Sequence, residues 1–576
     1  MLKKLISRVR RSDTPFDEKT PLASDKGVAG ILAEIRPEDG EGAVLDIDHW
    51  LLETEYVVGK IDSAALRQAV CRLDEFVQGP LRATWAAWFE PTSKLNFSEK
   101  VWQTLVSHHA ALAAAYARCL ADPQLAADAD GALVPRLAAR RMRVLVQAKK
   151  LQRLRYRSPD PVWWDEVGRL LAWARERAAT QVPVALYAGE EPSSVWQEYL
   201  VGVYLELAPV DGMLQRQVEA TDALLRKFAT SLVVRAQSAG SEQYCLDPTS
   251  AQGIFRRDPE RSYPASVGYI GFDSLRAQIV RLVAQMSGND DEVLPQWLAG
   301  ACLPPSQVKE LLQSLAMAWS VHPPQRRSER NSSEGEARAV FGFGLVRRMA
   351  ACSALARSGR RIDYDTYLNQ IKQLRFSAIE GWDVMELDPD REVPVDPFEV
   401  LEKLEIGGKS QAMETWYVRD VSAGGVGVQL PHILGRHRIG KLVGFRVLSQ
   451  VDWHAGIIRR LRRDASGRSL AGIEWLPGPP QCAQARALRA VEHGHWSTLR
   501  ELTGHGFIDA VLLAGAEPEL LLPAGTFSQD AAFRLVVEGN SRNIRLTKLV
   551  GEGDDYQRVA FAEIVAAAVD DEPIAP

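Results

Sequence analysis

The first half of the chain carries apolar residues at helical spacing. After Ser98, which suits the N-cap of a helix, apolar side chains recur every three or four residues over about six turns. The members of this stripe are Trp102, Leu105, Val106, His109, Leu112, Ala113, Tyr116, Cys119 and Leu120. Similar stripes predict helices over 163–177, 195–207, 210–235, 275–286 and 306–319. No fixed repeat length emerges, so the pattern predicts a helical bundle of repeat-like character that contacts other proteins.

In the second half, short apolar runs separated by turn residues replace the helical spacing. They predict strands at 337–345, 414–419, 425–430, 441–448, 453–461 and 469–475. The segment Asp464-Ala465-Ser466-Gly467 predicts the turn between the last two. Short antiparallel strands at this spacing fit a small closed barrel. Further runs at 519–522, 533–537, 543–546 and 559–561 predict a second small β-rich domain, without the motif described below.

A helical spacing at 364–374 and an acidic, proline-rich stretch at 383–398 interrupt the strands. They predict an insertion of about residues 355–410 between the first strands of the barrel. With 576 residues, the chain is too long for one ordinary core. We therefore expect an α+β multidomain protein with a basic N-terminus and flexible linker, an all-α domain, an antiparallel β-barrel and a β-rich C-terminal domain. The expected boundaries are 1–42, 43–319, 320–480 and 481–576.

Composition narrows the class of protein. Hydrophobic residues make up 46% and charged residues 25%, as in soluble globular proteins. The formal net charge of -5 argues against a nucleic-acid partner. Six scattered cysteines without a Cys-x-x-Cys pair predict reduced thiols in the cytoplasm, and neither a disulfide framework nor a zinc site. No apolar stretch has the roughly 18 residues that a membrane-spanning helix needs.

Two basic segments have two interpretations each. Residues 1–11 place Leu2, Leu5, Ile6 and Val9 on one helical face among five basic residues. They are either a frayed basic tail or a short helix that makes weak contact with a membrane surface or a partner. Residues 136–157 carry nine basic side chains and no acid. This run either docks an acidic partner or forms a solvated face that acidic neighbours neutralise.

Histidine and carboxylate clusters predict no metal or catalytic site. His108 and His109 are adjacent, and adjacent helical positions point about 100° apart, so we expect core or boundary histidines. Near His49 lie four acids, Asp46, Asp48, Glu53 and Glu55. We interpret them as carboxylates in the first turn of a helix, where the helix dipole favours them. Known catalytic and phosphate-loop motifs are absent, so the sequence predicts a protein that is not an enzyme and carries no cofactor.

Two short motifs carry the candidate chemistry. Arg326 and Arg330 follow two prolines in a polar stretch, and guanidinium groups at this spacing can grip phosphate or lie on an aromatic face. Asp420, Ser422 and Gly425 lie between two predicted strands. The carboxylate can accept hydrogen bonds from a base edge, and the serine and glycine turn can offer hydroxyl and backbone N–H groups. Weaker candidates are Arg327, Gly424, Arg459 and Arg460. Neighbouring strand residues face opposite ways, so we expect only one of Arg459 and Arg460 to face the site.

Arg-x-x-x-Arg followed by Asp-x-Ser-x-x-Gly resembles the PilZ family of cyclic di-GMP receptors, and residues 452–461 are similar to a later strand of that family. The resemblance covers about 150 residues of the C-terminal half. The gap of about 90 residues between the motifs is longer than the family usually has. Either the segment between them is an insertion, or the match of Arg326 and Arg330 is accidental. The resemblance implies that these arginines contact phosphate or guanine and that Asp420 and Ser422 contact the guanine edge.

The resemblance also implies a function. The chain would be a cyclic di-GMP effector whose conformation changes on nucleotide binding and which signals through protein contacts. Larger PilZ effectors act in surface motility, type IV pili and biofilm control, which implies a partner in the pilus or motility machinery. For the location, we expect the cytoplasm, with recruitment to the membrane or a cell pole as an option. The alternative is a PilZ-like scaffold that binds no nucleotide and acts only through protein–protein interaction.

Overall fold

A computed structural model divides the chain into a largely helical unit, Met1–Gln325, and a β-barrel unit, Arg326–Pro576. The structure describes residues 20–89, 98–122, 125, 131–158, 161–250, 253–286, 295, 297–298, 303–322, 329–358, 405–406, 410–411, 413–448, 452–464, 466–488, 507–537 and 540–564. In these ranges, no helix combines the length and the apolar character needed to cross a membrane.

The first unit is built from helices around one apolar core. They are α1 (Asp25–Glu34), α2 (Glu41–Val57), α3 (Ser63–Phe89), α4 (Glu99–Leu120), α5 (Leu133–Arg153), α6 (Pro161–Glu176), α7 (Val195–Leu207), α8 (Gln215–Lys227), α9 (Asp273–Met286) and α10 (Pro305–Ala318). Strands β1 (Val233–Arg235), β2 (Tyr244–Leu246), β3 (Ile254–Arg256) and β4 (Gly268–Gly271) form a small sheet in the order β1-β4-β2-β3.

The predicted helices are present, with one correction. Ser98 caps α4 as predicted, since its side chain accepts a hydrogen bond from the Val101 backbone N–H. The predicted helix 210–235 is instead a 3-10 turn (Val210–Gly212), then α8, then β1. The helix ends early because Val233 and Val234, both β-branched, pair with β4 in the sheet.

The basic run 136–157 forms most of α5, which lies in the core. Acidic side chains neutralise it as predicted, but the expectation of a solvated face is wrong. Arg140, Lys149 and Lys150 are at most 3% exposed. Lys150 Nζ lies 2.8 Å from Asp222 Oδ2 on α8, and Arg153 Nη2 lies 2.6 Å from Glu206 Oε1 on α7. Long basic side chains thus pass the apolar stripe of α5 and reach acids on neighbouring helices.

Glu198 on α7 is central to this ionic network. Its carboxylate accepts hydrogen bonds from Arg143 at 2.7 Å and from Arg226 at 2.6 Å. Burial alone would raise the pKa of Glu198, but the charges of Arg143 and Arg226 lower it to about 2. A buried charge of this kind is stable only while its partners remain in place.

His108 and His109 are core residues, as predicted. His109 Nδ1 donates a hydrogen bond to the Leu105 carbonyl at 2.7 Å, and His108 Nδ1 lies 2.5 Å from Asp48 Oδ1. The interpretation of the acids around His49 is wrong, because α2 begins at Glu41 and places them beyond its first turn. Asp48 is instead buried against His108. Across the described part of the chain, no group of three residues is arranged to hold a metal ion.

The second unit contains two closed, six-stranded antiparallel barrels, which confirms both predicted β-rich modules. The first contains β5 (Asn331–Phe341), β8 (Met413–Ser422), β9 (Gly425–Leu430), β10 (Leu442–Val447), β11 (His454–Arg463) and β12 (Ser469–Trp475), in the order β10-β11-β12-β9-β8-β5. The second contains β13 (Pro480–Ala487), β14 (Phe507–Leu513), β15 (Glu519–Pro523), β16 (Ala532–Val537), β17 (Asn540–Glu552) and β18 (Tyr556–Glu563), in the order β13-β14-β15-β18-β17-β16. The short strands β6 (Glu405–Ile406) and β7 (Ser410–Gln411) pair with each other.

The first barrel strand differs from its prediction at both ends. The predicted strand 337–345 is β5, which starts at Asn331 and ends at Phe341. Gly342 then adopts a left-handed φ of 83°, which suits glycine, and turns the chain into helix α11 (Phe343–Ser358). This helix runs into the predicted insertion of about residues 355–410 and covers its first residues, 355–358. The helical spacing at 364–374 lies outside the described residues.

Helix α11 packs between the two barrels. Its Val346 and Met349 share one buried cluster with Leu442 of the first barrel and Val511 of the second. The same apolar cluster includes Phe343, Leu345, Met413, Ile457, Leu513, Leu521 and Tyr556. The Phe343 N–H donates a hydrogen bond to Asp555 Oδ2 at 2.9 Å, so a turn of the second barrel caps the start of the helix. Helix α11 thereby joins the barrels through one core.

We expect Glu198→Gln to destabilise the helical unit by about 3 kcal/mol, because it leaves Arg143 and Arg226 buried without their shared counter-charge. Urea unfolding followed by tryptophan fluorescence measures this loss. Arg169→Ala is the control, since its pair with Asp165 is exposed, and exposed pairs contribute about 0–1 kcal/mol. Equal unfolding midpoints for the two variants would contradict the role given to Glu198.

The depressed pKa of Glu198 also predicts a pH dependence. The unfolded carboxyl titrates near its ordinary pKa of 4.5, and the folded one titrates near 2. The unfolded chain therefore binds the proton first as pH falls, so this contribution to stability is present above pH 4.5 and is lost between 4.5 and 2. Urea midpoints over that interval should fall more steeply in the unsubstituted chain than in Glu198→Gln.

Candidate functional site

The hairpin of β8 and β9 carries the Asp-x-Ser-x-x-Gly motif. Ser422 ends β8, Gly425 begins β9, and the two residues are paired across the turn. The Ser422 hydroxyl donates a hydrogen bond to the Gly425 carbonyl at 3.1 Å. Its proton is therefore used inside the turn, while its oxygen lone pairs remain able to accept from a ligand. Ser422 thus both closes the turn and offers an acceptor.

Gly425 is required by the barrel itself. A Cβ atom at this position would lie 2.1 Å from the Ile473 carbonyl oxygen of β12, so only glycine permits this approach of the two strands. The weaker candidate Gly424 lies in the turn before it, where its carbonyl accepts from the Trp475 N–H at 3.1 Å. The packing of β9 against β12 therefore requires a glycine at the last position of the motif, independently of any ligand.

A β-bulge sets the direction of Asp420. The register of β8 shifts between Val418 and Asp420 against β9, and β5 and β8 also shift register nearby. Bulges of this kind re-aim side chains and are frequent next to functional sites. Asp420 is opposite Gly427 of β9, and a Cβ on Gly427 would lie 2.6 Å from Asp420 Oδ2. The carboxylate therefore lies over a backbone that has no side chain.

The structure brings Arg330 and Asp420 together. Arg330 immediately precedes β5, and β5 pairs with β8, so the long gap in sequence is closed by one strand pairing. Arg330 Nη1 lies 2.8 Å from Asp420 Oδ1, and the two side chains are 34% and 28% exposed. Arg326 and Arg327 lie outside the described residues.

The Asp420 carboxylate keeps unused hydrogen-bonding capacity. Its Oδ1 atom is shielded from solvent and has no aligned hydrogen bond from a described residue, so its contact with Arg330 is an ion pair by distance only. A carboxylate oxygen that is shielded from solvent is stabilised when a well-oriented donor forms a hydrogen bond to it. Asp420 is therefore suited to accept from a ligand.

Two glycines that sequence reasoning missed extend the site. Gly427 of β9 is opposite Gly472 of β12, and Gly472 is opposite Arg460 of β11. Asp420, Gly427, Gly472 and Arg460 thus form one row across four adjacent strands. We call Gly427 and Gly472 the glycine floor. At about 4.8 Å between strands, Asp420 and Arg460 flank it at a backbone separation of about 14 Å, wide enough for a flat ring system.

The expectation about Arg459 and Arg460 is wrong in its premise. The register of β11 shifts between Ile458 and Arg460, and this bulge removes the strict alternation, so that both side chains are exposed. Arg459 Nε donates to Glu474 Oε2 at 2.5 Å. Arg460 forms no ion pair with a described residue and lies in the row of the glycine floor.

The opposite end of β8 is held by a buried polar cluster. Glu414 accepts hydrogen bonds from Trp416 Nε1 at 2.9 Å and from His437 Nε2 at 3.0 Å. Burial alone would raise the pKa of Glu414, but the hydrogen bond and charge of His437 lower it. These contacts fix the strand that carries Asp420, so the site rests on a rigid element.

Comparison with known proteins concerns the other unit. Residues 28–237 match a family model described as the N-terminal domain of the cyclic-di-GMP receptor FimW. The match spans slightly over a third of the chain and lies within the helical unit, outside the barrel that carries Asp420. No curated protein matches the chain. This part of the helical unit is thus similar to the N-terminal domain of a cyclic-di-GMP receptor.

Proposed function

We propose that this protein is a cyclic di-GMP receptor of the PilZ type, which binds the nucleotide on the outer face of its first barrel. The observation that carries the proposal is the ion pair between Arg330 and Asp420. It joins the two halves of the motif at one place in the fold. The similarity of residues 28–237 to a cyclic-di-GMP receptor domain supports the same ligand from a different part of the chain.

The chemistry of guanine fits the row of residues around the glycine floor. The Watson–Crick edge of guanine carries N–H donors, which Asp420 can accept. Arg330, together with Arg326, can contact the phosphates or lie against the base, and Ser422 can accept a further hydrogen bond. The glycine floor allows a flat purine to approach the sheet, and Arg460 supplies a cation at the far side. This assignment includes no catalytic residue and no cofactor.

In the absence of nucleotide, Arg330 provides the counter-charge of Asp420. Guanine donors would satisfy the carboxylate and free the guanidinium for phosphate. The boundary between the two units falls at Arg326, so nucleotide contacts to Arg326 and Arg330 act on the segment that links them. We propose that this exchange is the conformational change on binding, since it alters the linking segment directly.

The proposed output is protein contact through the helical unit. By its resemblance to larger PilZ effectors, the partner would belong to the pilus or motility machinery, with effects on surface motility or biofilm. The cytoplasm is the proposed location, in line with the reduced thiols of the five described cysteines. Recruitment to the membrane or a pole through residues 1–11 is part of the same proposal. The alternative is a scaffold that acts without nucleotide. In that case Arg326 and Arg330 bind no ligand.

Removal of either partner of the ion pair should weaken cyclic di-GMP binding. A hydrogen bond to a charged group contributes about 1.5–3 kcal/mol, so Arg330→Ala and Asp420→Ala should each raise the Kd by roughly tenfold to a hundredfold. Isothermal titration calorimetry measures the change. Arg468→Ala removes an exposed arginine of the same barrel that pairs with Asp464, and its Kd should stay within about twofold of the unsubstituted value.

Unchanged affinity in both Arg330→Ala and Asp420→Ala would refute the site. Absence of binding heat in the unsubstituted chain would favour the scaffold function instead. Circular dichroism of each variant shows whether the barrel is intact.

The two neighbouring arginines of β11 should differ. Arg460→Ala removes the cation beside the glycine floor, so we expect a Kd about tenfold higher for cyclic di-GMP. Arg459→Ala changes the adjacent residue, which pairs with Glu474, and should leave the Kd nearly unchanged. The same titrations measure both. A larger effect from Arg459→Ala would contradict the placement of the ligand along the row of Gly427 and Gly472.

A further inference from the structure

The outer face of the second barrel carries three exposed arginines on adjacent strands. They are Arg486 on β13, Arg534 on β16 and Arg545 on β17, and we call them the arginine face. Arg486 and Arg534 are directly opposite each other in the strand pairing. Arg545 is opposite Ala532, two positions along β16 from Arg534. Side chains two apart on a strand share one face, so the three guanidinium groups lie on the same surface.

This concentration of positive charge is costly to the barrel. Like charges directly opposite in neighbouring strands destabilise a sheet. The other two arginines on the described strands of this barrel have acidic partners, Arg542 with Glu563 and Arg558 with Glu519. The arginine face forms no ion pair with any residue that the structure describes. A face with three unmatched cations favours an anionic occupant.

The chain itself passes beside this face. Strand β18 ends at Glu563, and the Ile564 N–H then donates to the Asn543 carbonyl at 2.8 Å. Asn543 is the residue opposite Arg534. Five uncharged residues, 565–569, follow, and then comes Asp570-Asp571-Glu572. The chain therefore reaches the edge of the arginine face at Ile564, and three consecutive acidic residues follow a few positions later.

The distances permit contact. From Ile564 to Asp570 the chain advances six residues, which span at most about 20 Å when extended. Strands β16 and β13 lie two and three positions from β18 in the barrel, or about 10 and 14 Å at ordinary strand spacing. All three arginines are thus within reach of the acids of the same chain.

We propose that Asp570-Asp571-Glu572 binds the arginine face of the same chain. Three carboxylates can neutralise three guanidinium groups through charge-assisted hydrogen bonds. Because the two partners are tethered by a short segment, their effective concentration is on the order of millimolar, so a modest intrinsic affinity suffices. The segment thereby covers a surface that would otherwise attract other anions. This inference is independent of nucleotide binding to the first barrel.

The test uses the full chain with its acids neutralised. Asp570→Asn, Asp571→Asn and Glu572→Gln together vacate the arginine face, and a fluorescein-labelled peptide with the sequence of residues 564–576 is then titrated in at low ionic strength. We expect fluorescence anisotropy to show binding to this vacated variant and about tenfold weaker binding to the unsubstituted chain, whose own acids compete.

Charge reversal locates the binding surface. Arg534→Glu in the vacated variant should weaken peptide binding by about tenfold or more, and added salt should do the same. Arg256→Glu, a reversal at an exposed arginine of the helical unit, is the matched control and should change nothing. Arg534 is exposed, and circular dichroism of each variant verifies the fold.

Three results would overturn the proposal. One is equal peptide binding by the vacated and the unsubstituted chain. Another is peptide binding that Arg534→Glu leaves unchanged. The third is a vacated variant that binds vesicles of phosphatidylglycerol through Arg534 but not the peptide, since the occupant would then be an external anionic surface.

Discussion

The pairing of β5 with β8 is the constraint on which the candidate site depends. It closes the first barrel and places Arg330 beside Asp420, although about 90 residues separate them in sequence. The contact between these two side chains therefore exists only in the closed barrel. The bulges near Asp420 and the close approach of Gly425 to β12 then set the direction of each group. Affinity at such a site rests on backbone geometry as much as on the charged side chains.

Local patterns predicted much of this architecture. The predicted bounds of β9 and β12 agree with the structure, because Val426, Val428 and Ile473 alternate with outward positions and clear turns flank both strands. Strand β13 escaped prediction because its alanine and glutamine residues lack the β-branched character that marks strands. The helix that follows β5 was also missed, since the apolar run continues through Gly342 and only the turn there reveals the break.

Features that depend on the register of strand pairing could not be predicted from the sequence. Gly427 and Gly472 become one floor only when β9 and β12 pair in a particular register. The bulge at Arg459 is likewise visible only in the strand register. Because of it, the rule that neighbouring strand residues face opposite sides does not hold for Arg459 and Arg460. The burial of α5 was missed for another reason. The acids that neutralise it, among them Glu206 and Asp222, lie about 50 to 75 positions later in the chain.

The cap that Asp555 provides for α11 has a consequence for how the chain is made. The N–H that it satisfies belongs to Phe343, 212 positions earlier. During synthesis, α11 and the first-barrel strands leave the ribosome well before β17 and β18. Until those last strands arrive, the start of the helix lacks this cap, and Val346 and Met349 lack their apolar cover from the second barrel. The two barrels therefore reach their final packing together, late in synthesis, and a shortened chain would expose the apolar side of α11 to aggregation.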